Sequence, residues 1–145
     1  MMKRKYGQIF SPYTLSNGTV LKNRIVVAPM TTYSGQEDGL VSDEELAYYK
    51  RRADGPAMFI TAAAAISPVA TSFPRQMKVY DEQSIAGLTE LSKTIKSKGA
   101  KAILQLHHGG SESLPSCTGG EKWLVRAGSL LAFIQKWAGS TFQGQ

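Results

Sequence analysis

Two apolar runs that break off abruptly constrain the fold of this chain. Arg24-Ile-Val-Val-Ala28 gives way to Pro29-Met-Thr-Thr-Tyr-Ser34, and Ala102-Ile-Leu-Gln-Leu106 gives way to His107-His-Gly-Gly110. Each run has the length of a strand. The change from branched aliphatics to small and polar residues is what a buried parallel strand shows where it emerges at one face of an α/β barrel. Between them lies Ala57-Met-Phe-Ile-Thr-Ala-Ala-Ala-Ala-Ile66, almost wholly apolar. Alanine favours helix, yet a short run bounded by Asp54-Gly-Pro56 and Ser67-Pro68 suits a fully buried strand, whose small side chains leave room for something lying against it. A strand is therefore expected there.

Helical signals alternate with these strands. Ser42 with Glu45 three residues on makes a capping box for a helix running to about Arg52, with Leu46, Tyr49 and Ala53 on its inward face. Asp81-Glu-Gln-Ser84 opens a second helix in which Ile85, Leu88, Leu91 and Ile95 keep helical spacing, and Gly99 ends it. Thr71 to Tyr80 reads as a loop. Upstream, Asn17-Gly18 sits between short β-prone arms, a hairpin signal in which both turn positions take positive φ. The order hairpin, strand, helix, strand, helix, strand is a βαβ series and calls for a parallel sheet.

Composition narrows the function classes. The 145 residues are 42% apolar, enough for one soluble domain with a sizeable core. The formal charge of +6, from 17 basic and 11 acidic residues, is scattered apart from Lys3-Arg4-Lys5 and Lys50-Arg51-Arg52. No aromatic-interleaved basic stripe accompanies it, so a nucleic-acid partner is not expected. Cys117 is the sole cysteine, which excludes an internal disulfide and points to the cytoplasm. No stretch reaches the roughly 20 apolar residues of a membrane span.

The chain divides at residue 120. Residues 1–120 carry the βαβ pattern, whereas 121–145 contain both tryptophans and one acid, Glu121. Trp123, Ala127, Leu130, Leu131, Ile134 and Trp137 follow helical spacing, giving a divergent, helical tail interrupted at Gly128. A packing helix is expected and no membrane partner, a basic membrane-surface helix being the alternative.

Residues 7 to about 120 resemble the N-terminal part of the Old Yellow Enzyme family of FMN-dependent NAD(P)H oxidoreductases. Phe10-Ser-Pro-Tyr-Thr-Leu15, Leu21-Lys-Asn-Arg24, Ala28-Pro-Met-Thr-Thr-Tyr-Ser34 and Gln105-Leu-His-His-Gly-Gly110 stand in that family's order and spacing. The resemblance implies a partial TIM (β/α)8 barrel: the hairpin, about three parallel βα units and a C-terminal helix. It implies FMN as cofactor, NAD(P)H as reductant and a small-molecule acceptor. Carried over residue by residue, it assigns the flavin to Pro29, Met30 and Thr31, with the Thr31 hydroxyl near the redox-active edge. Ala63 becomes the small residue that admits the ring, Gln105 the carboxamide on its pyrimidine edge, and Tyr33 a border of the substrate pocket. A carboxamide suits that edge because it donates and accepts at once.

His107 and His108 invite a metal reading, but neighbours on a strand point to opposite faces and no Cys or acid stands near, so a structural histidine bonded to backbone is expected instead. Ser111 departs from the family, which has Arg after His-x-Gly. A full barrel has eight strands and about 250 residues. Three strands here imply a truncated member, weakly active or inactive, with no catalytic residue to assign and with open sheet edges suited to self-association. A non-catalytic interaction module with a Trp-containing tail is the alternative.

Overall fold

The computed structural model describes residues 6–120; the expected tail helix in 121–145 lies outside them. After a short 3-10 turn over Gly7–Phe10, strands β1 (Tyr13–Thr14) and β2 (Val20–Leu21) pair antiparallel, Tyr13 opposite Leu21. The hairpin is present, but its turn is not the expected two-residue one. The Leu15 carbonyl accepts the Gly18 N–H at 2.9 Å, and the Leu15 N–H donates to the Thr19 carbonyl at 2.9 Å. Gly18 alone is left-handed, at φ +81°, while Asn17 keeps a negative φ and uses its side-chain oxygen to accept the Thr19 N–H at 3.0 Å. Asn17 thus serves the turn through its side chain rather than its backbone, in a three-residue loop closed by glycine.

Strands β3 (Val26–Val27), β4 (Met58–Ala65) and β5 (Lys101–His107) form a parallel sheet in the order β3-β4-β5. The apolar run of alanines is a strand, not a helix. β3 is shorter than the expected Arg24–Ala28. At its start Asn23 captures the Ile25 N–H at 3.0 Å and ties itself to the Gly55 carbonyl at 2.7 Å; at its end Pro29 has no N–H to give.

Helices α1 (Asp43–Arg52) and α2 (Ser84–Lys96) cover one face of the sheet. Ser42 caps α1 by accepting the Glu45 N–H at 3.0 Å, and acids in the first turn with bases in the last complement the helix dipole. The capping box is half made, because the Glu45 side chain turns inward: the residue is 2% exposed and Oε2 has no hydrogen-bond partner among the described residues. Ahead of α2, Asp81 holds the first helical residue, accepting from the Ser84 N–H and hydroxyl at 3.1 and 2.8 Å.

Tyr49, Ala53, Phe59, Ala64, Leu91 and Ile95 make the centre of the core, with the Tyr49 and Phe59 rings edge-on at 5.1 Å. Leu46 and Leu88 flank it, whereas Ile85, in the first turn of α2, projects into solvent. The expected loop over Thr71–Tyr80 holds a short extended stretch. Ala65 donates to the Met77 carbonyl at 2.7 Å and accepts from the Val79 N–H at 3.0 Å, so Lys78 runs parallel to the end of β4.

Candidate functional site

The face of the sheet turned away from the helices is set by one irregularity. Ile60 pairs with Ile103, but the next aligned pair is Ala63 with Gln105, so β4 carries one residue more than β5 between these points. Such a bulge reverses which residues face which side. The extra residue is fastened from both directions. The buried Tyr49 hydroxyl accepts the Ala62 N–H at 2.7 Å from the helix side. The Thr61 hydroxyl accepts the Gln105 N–H at 3.2 Å from β5 and donates to the Ala62 carbonyl at 3.0 Å. Ala62 and Ala64 consequently pack into the core with Val27, Phe59 and Ala102, and Ala63 stands beside Gln105 on the opposite face.

That face therefore brings together two of the residues expected to touch a cofactor. Ala63 offers only a methyl group, and the Gln105 carboxamide, half-buried, has no hydrogen-bond partner among the described residues. Pro29, Met30 and Thr31 follow β3, which runs parallel to β4, and so leave the sheet in the direction of the same strand ends. Met30 is 59% exposed, and the exposed Thr31 hydroxyl also lacks a partner among the described residues. Both polar side chains with the expected roles are free to bind a ligand.

Tyr33 sits beyond them, at φ +53°, with its ring 5.1 Å from that of Phe73. Arg75 is the other non-glycine left-handed residue among the described residues, at φ +59°, and its Nε donates to the Gly35 carbonyl at 2.6 Å. Two strained loops thus lean on each other at the rim, an arrangement that ordinary surface loops seldom keep. Ser111, where the family pattern has Arg, is exposed in the 3-10 turn Gly110–Glu112.

The histidines divide the expected role between them. His108 Nδ1 accepts the Gly110 N–H at 3.0 Å, a backbone bond of the expected kind. His107 instead meets a side chain, Gln76, at 3.2 Å, and burial with the neighbouring His108 holds its pKa below 6.5. Sequence reasoning missed Gln76 and, having placed Tyr49 on the inward face of its helix, missed the clamp made by its hydroxyl, since neither a Gln in a loop nor a hydroxyl on a buried helix face signals a distant partner. Among the described residues no group of His, Cys, Asp and Glu side chains is arranged to hold a metal ion, and no helix is long and apolar enough to cross a membrane.

Residues 8–118 match the family model described as NADH:flavin oxidoreductase / NADH oxidase. The chain is 44% identical over 111 residues to the probable NADH-dependent flavin oxidoreductase YqiG of Bacillus subtilis, covering 77% of this chain and 30% of that protein. It is 41% identical over 115 residues to an NADH:fumarate oxidoreductase of Klebsiella pneumoniae, covering 79% of this chain and 12% of that one. Among solved structures, the old yellow enzyme of Trypanosoma cruzi superposes with a TM-score of 0.69 at 30% identity, covering 77% of this chain and 30% of that chain. The chain thus spans about a third or less of the length of the relatives it matches.

Proposed function

The chain belongs to the NADH:flavin oxidoreductase / NADH oxidase family, and from that premise we propose that the helix-free face of its sheet is one side of an FMN site. The observation that carries this reading is the direct pairing of Ala63 with Gln105, produced by the bulge in β4. A methyl group beside an unengaged carboxamide leaves room for a flat ring and supplies one donor and one acceptor at its edge. Pro29, Met30 and Thr31 would line the approach from β3, and the Thr31 hydroxyl is free to donate to a ring heteroatom; such bonds are a protein's means of tuning a flavin. When bound, FMN supplies hydride chemistry, with NAD(P)H as reductant and a small molecule as acceptor. Tyr33 would border the acceptor, its ring braced by Phe73.

Because the chain spans 30% of YqiG, weak or absent turnover by these 145 residues alone belongs to the same proposal; a cytoplasmic setting is a further part of it, supported by the single cysteine. Titrating the purified chain with FMN, followed by flavin fluorescence and visible absorption, tests it. Saturable micromolar binding is expected; the absence of binding would overturn the half-site.

A second reading, an interaction module, is favoured by one observation: Ile103, Leu104 and Leu106 on the outer strand are 41, 38 and 64% exposed. Bare strand edges pair readily with another chain. Light scattering that gives a monomer mass at all concentrations would count against self-association.

A further inference from the structure

Gln76 is 3% exposed, in the segment that follows β4, and all of its amide is engaged. Its Oε1 accepts the Ser72 N–H at 2.7 Å, which identifies the other amide atom as the NH2 group. That group donates to the Ala63 carbonyl at 3.3 Å and lies 3.2 Å from His107 Nδ1. An amide nitrogen only donates, so His107 Nδ1 has to accept, and the imidazole proton is left on Nε2. His107 pairs with Ala65 and shares the sheet face of Gln105, one strand repeat of about 7 Å further along. Its Nε2 has no protein partner among the described residues.

We propose that Gln76 is a positioning residue: it locks His107 as the Nε2–H tautomer and so presents a neutral N–H donor, beside Gln105, to a ligand oxygen lying across this face. The same amide holds the Ala63 carbonyl, so one side chain fixes two neighbouring points of the site. The inference deepens the flavin-site reading and rests on it for the identity of the ligand, but the tautomer lock stands on the hydrogen bonds alone. A Gln reduced to space filling would leave the imidazole free to take either tautomer.

Long-range proton–nitrogen NMR of the histidine-labelled 145-residue chain without flavin reads the tautomer directly, separately from any FMN titration. Wild type should show the Nε2–H form. Gln76→Glu, whose carboxylate accepts and cannot donate, should move the proton to Nδ1 or give the imidazolium. An Nδ1–H wild type, or an unchanged tautomer in Gln76→Glu, would overturn the lock, and the wild-type spectrum decides even if a variant fails to fold. The ligand is probed with FMN alone and then with FMN plus 2-cyclohexenone. A shift of the His107 Nε2 resonance with FMN alone assigns the donor to the flavin, and one that needs the enone assigns it to the acceptor molecule. No shift with either, at concentrations where FMN binds, would overturn the donor role.

Discussion

Burying Glu45 couples the stability of this fold to pH near neutrality. Its carboxyl is driven up from the ordinary 4.5 to about 7 by loss of solvent, and its Oε2 finds no partner among the described residues. The folded chain therefore holds a proton that the unfolded chain releases between these two values, so unfolding stability falls as pH rises from 4.5 to about 7 and levels off above. At about 1.4 kcal/mol per pKa unit, the penalty reaches roughly 3 kcal/mol at neutral pH, a large part of the stability of a small domain.

His107 works in the opposite sense. Its depressed pKa contributes stability that is present above 6.5 and lost as pH falls, so the total curve mixes two slopes. Glu45→Gln isolates one of them, since the amide keeps the shape and the Ser42 cap but does not titrate. Urea unfolding followed by circular dichroism from acid to mildly alkaline pH should show wild type losing about 3 kcal/mol relative to Glu45→Gln as pH rises through this window. Whatever constant cost the buried amide adds cancels in that difference. Parallel curves for the two proteins would refute the reasoning and place Glu45 in contact with water.

Tyr49→Phe should lower unfolding stability by about 1–3 kcal/mol in the same urea assay, because it leaves the Ala62 N–H buried without an acceptor; a change within error would mean that the bulge is held by Thr61 alone. Gln105→Leu should weaken FMN binding about tenfold, roughly 1.4 kcal/mol, with little change in the urea midpoint, since its carboxamide has no partner within the described fold. Equal FMN affinity would remove Gln105 from the site.

The elements were legible where a residue's role depends on its own neighbours in sequence. Ser42 reads as a cap because the N–H it serves is three residues away, and the spacing of Leu46, Tyr49 and Ala53 marks the buried side of α1. The turn at Asn17-Gly18 was legible as a turn but not in type, because whether Asn lends its backbone or its side chain is settled by the strand register on either side. The family resemblance named Ala63 and Gln105, but nothing local says that they meet. Their pairing depends on Tyr49 and Thr61, from α1 and from β4 itself. Gln76 was illegible for the same reason: its bonds reach 13 residues to Ala63 and 31 to His107. Glu45 was misleading, since the capping-box pattern gives it an outward task while the core takes its side chain.

The run Ala62 to Ala65 is four identical letters, and sliding β4 by one position would swap methyl for methyl almost everywhere along it. Within the run, packing therefore has little power to distinguish correct from displaced alignment, and the large buried side chain of β4, Phe59, lies ahead of the bulge. Along the run that information resides in two hydroxyl groups, of Tyr49 on α1 and of Thr61 just ahead of the run in β4, which act as index marks where the alanines have none. A change at either hydroxyl would leave the alanines intact by inspection while letting the strand mistake its place, so a chain can keep every residue that faces the ligand and still lose the site.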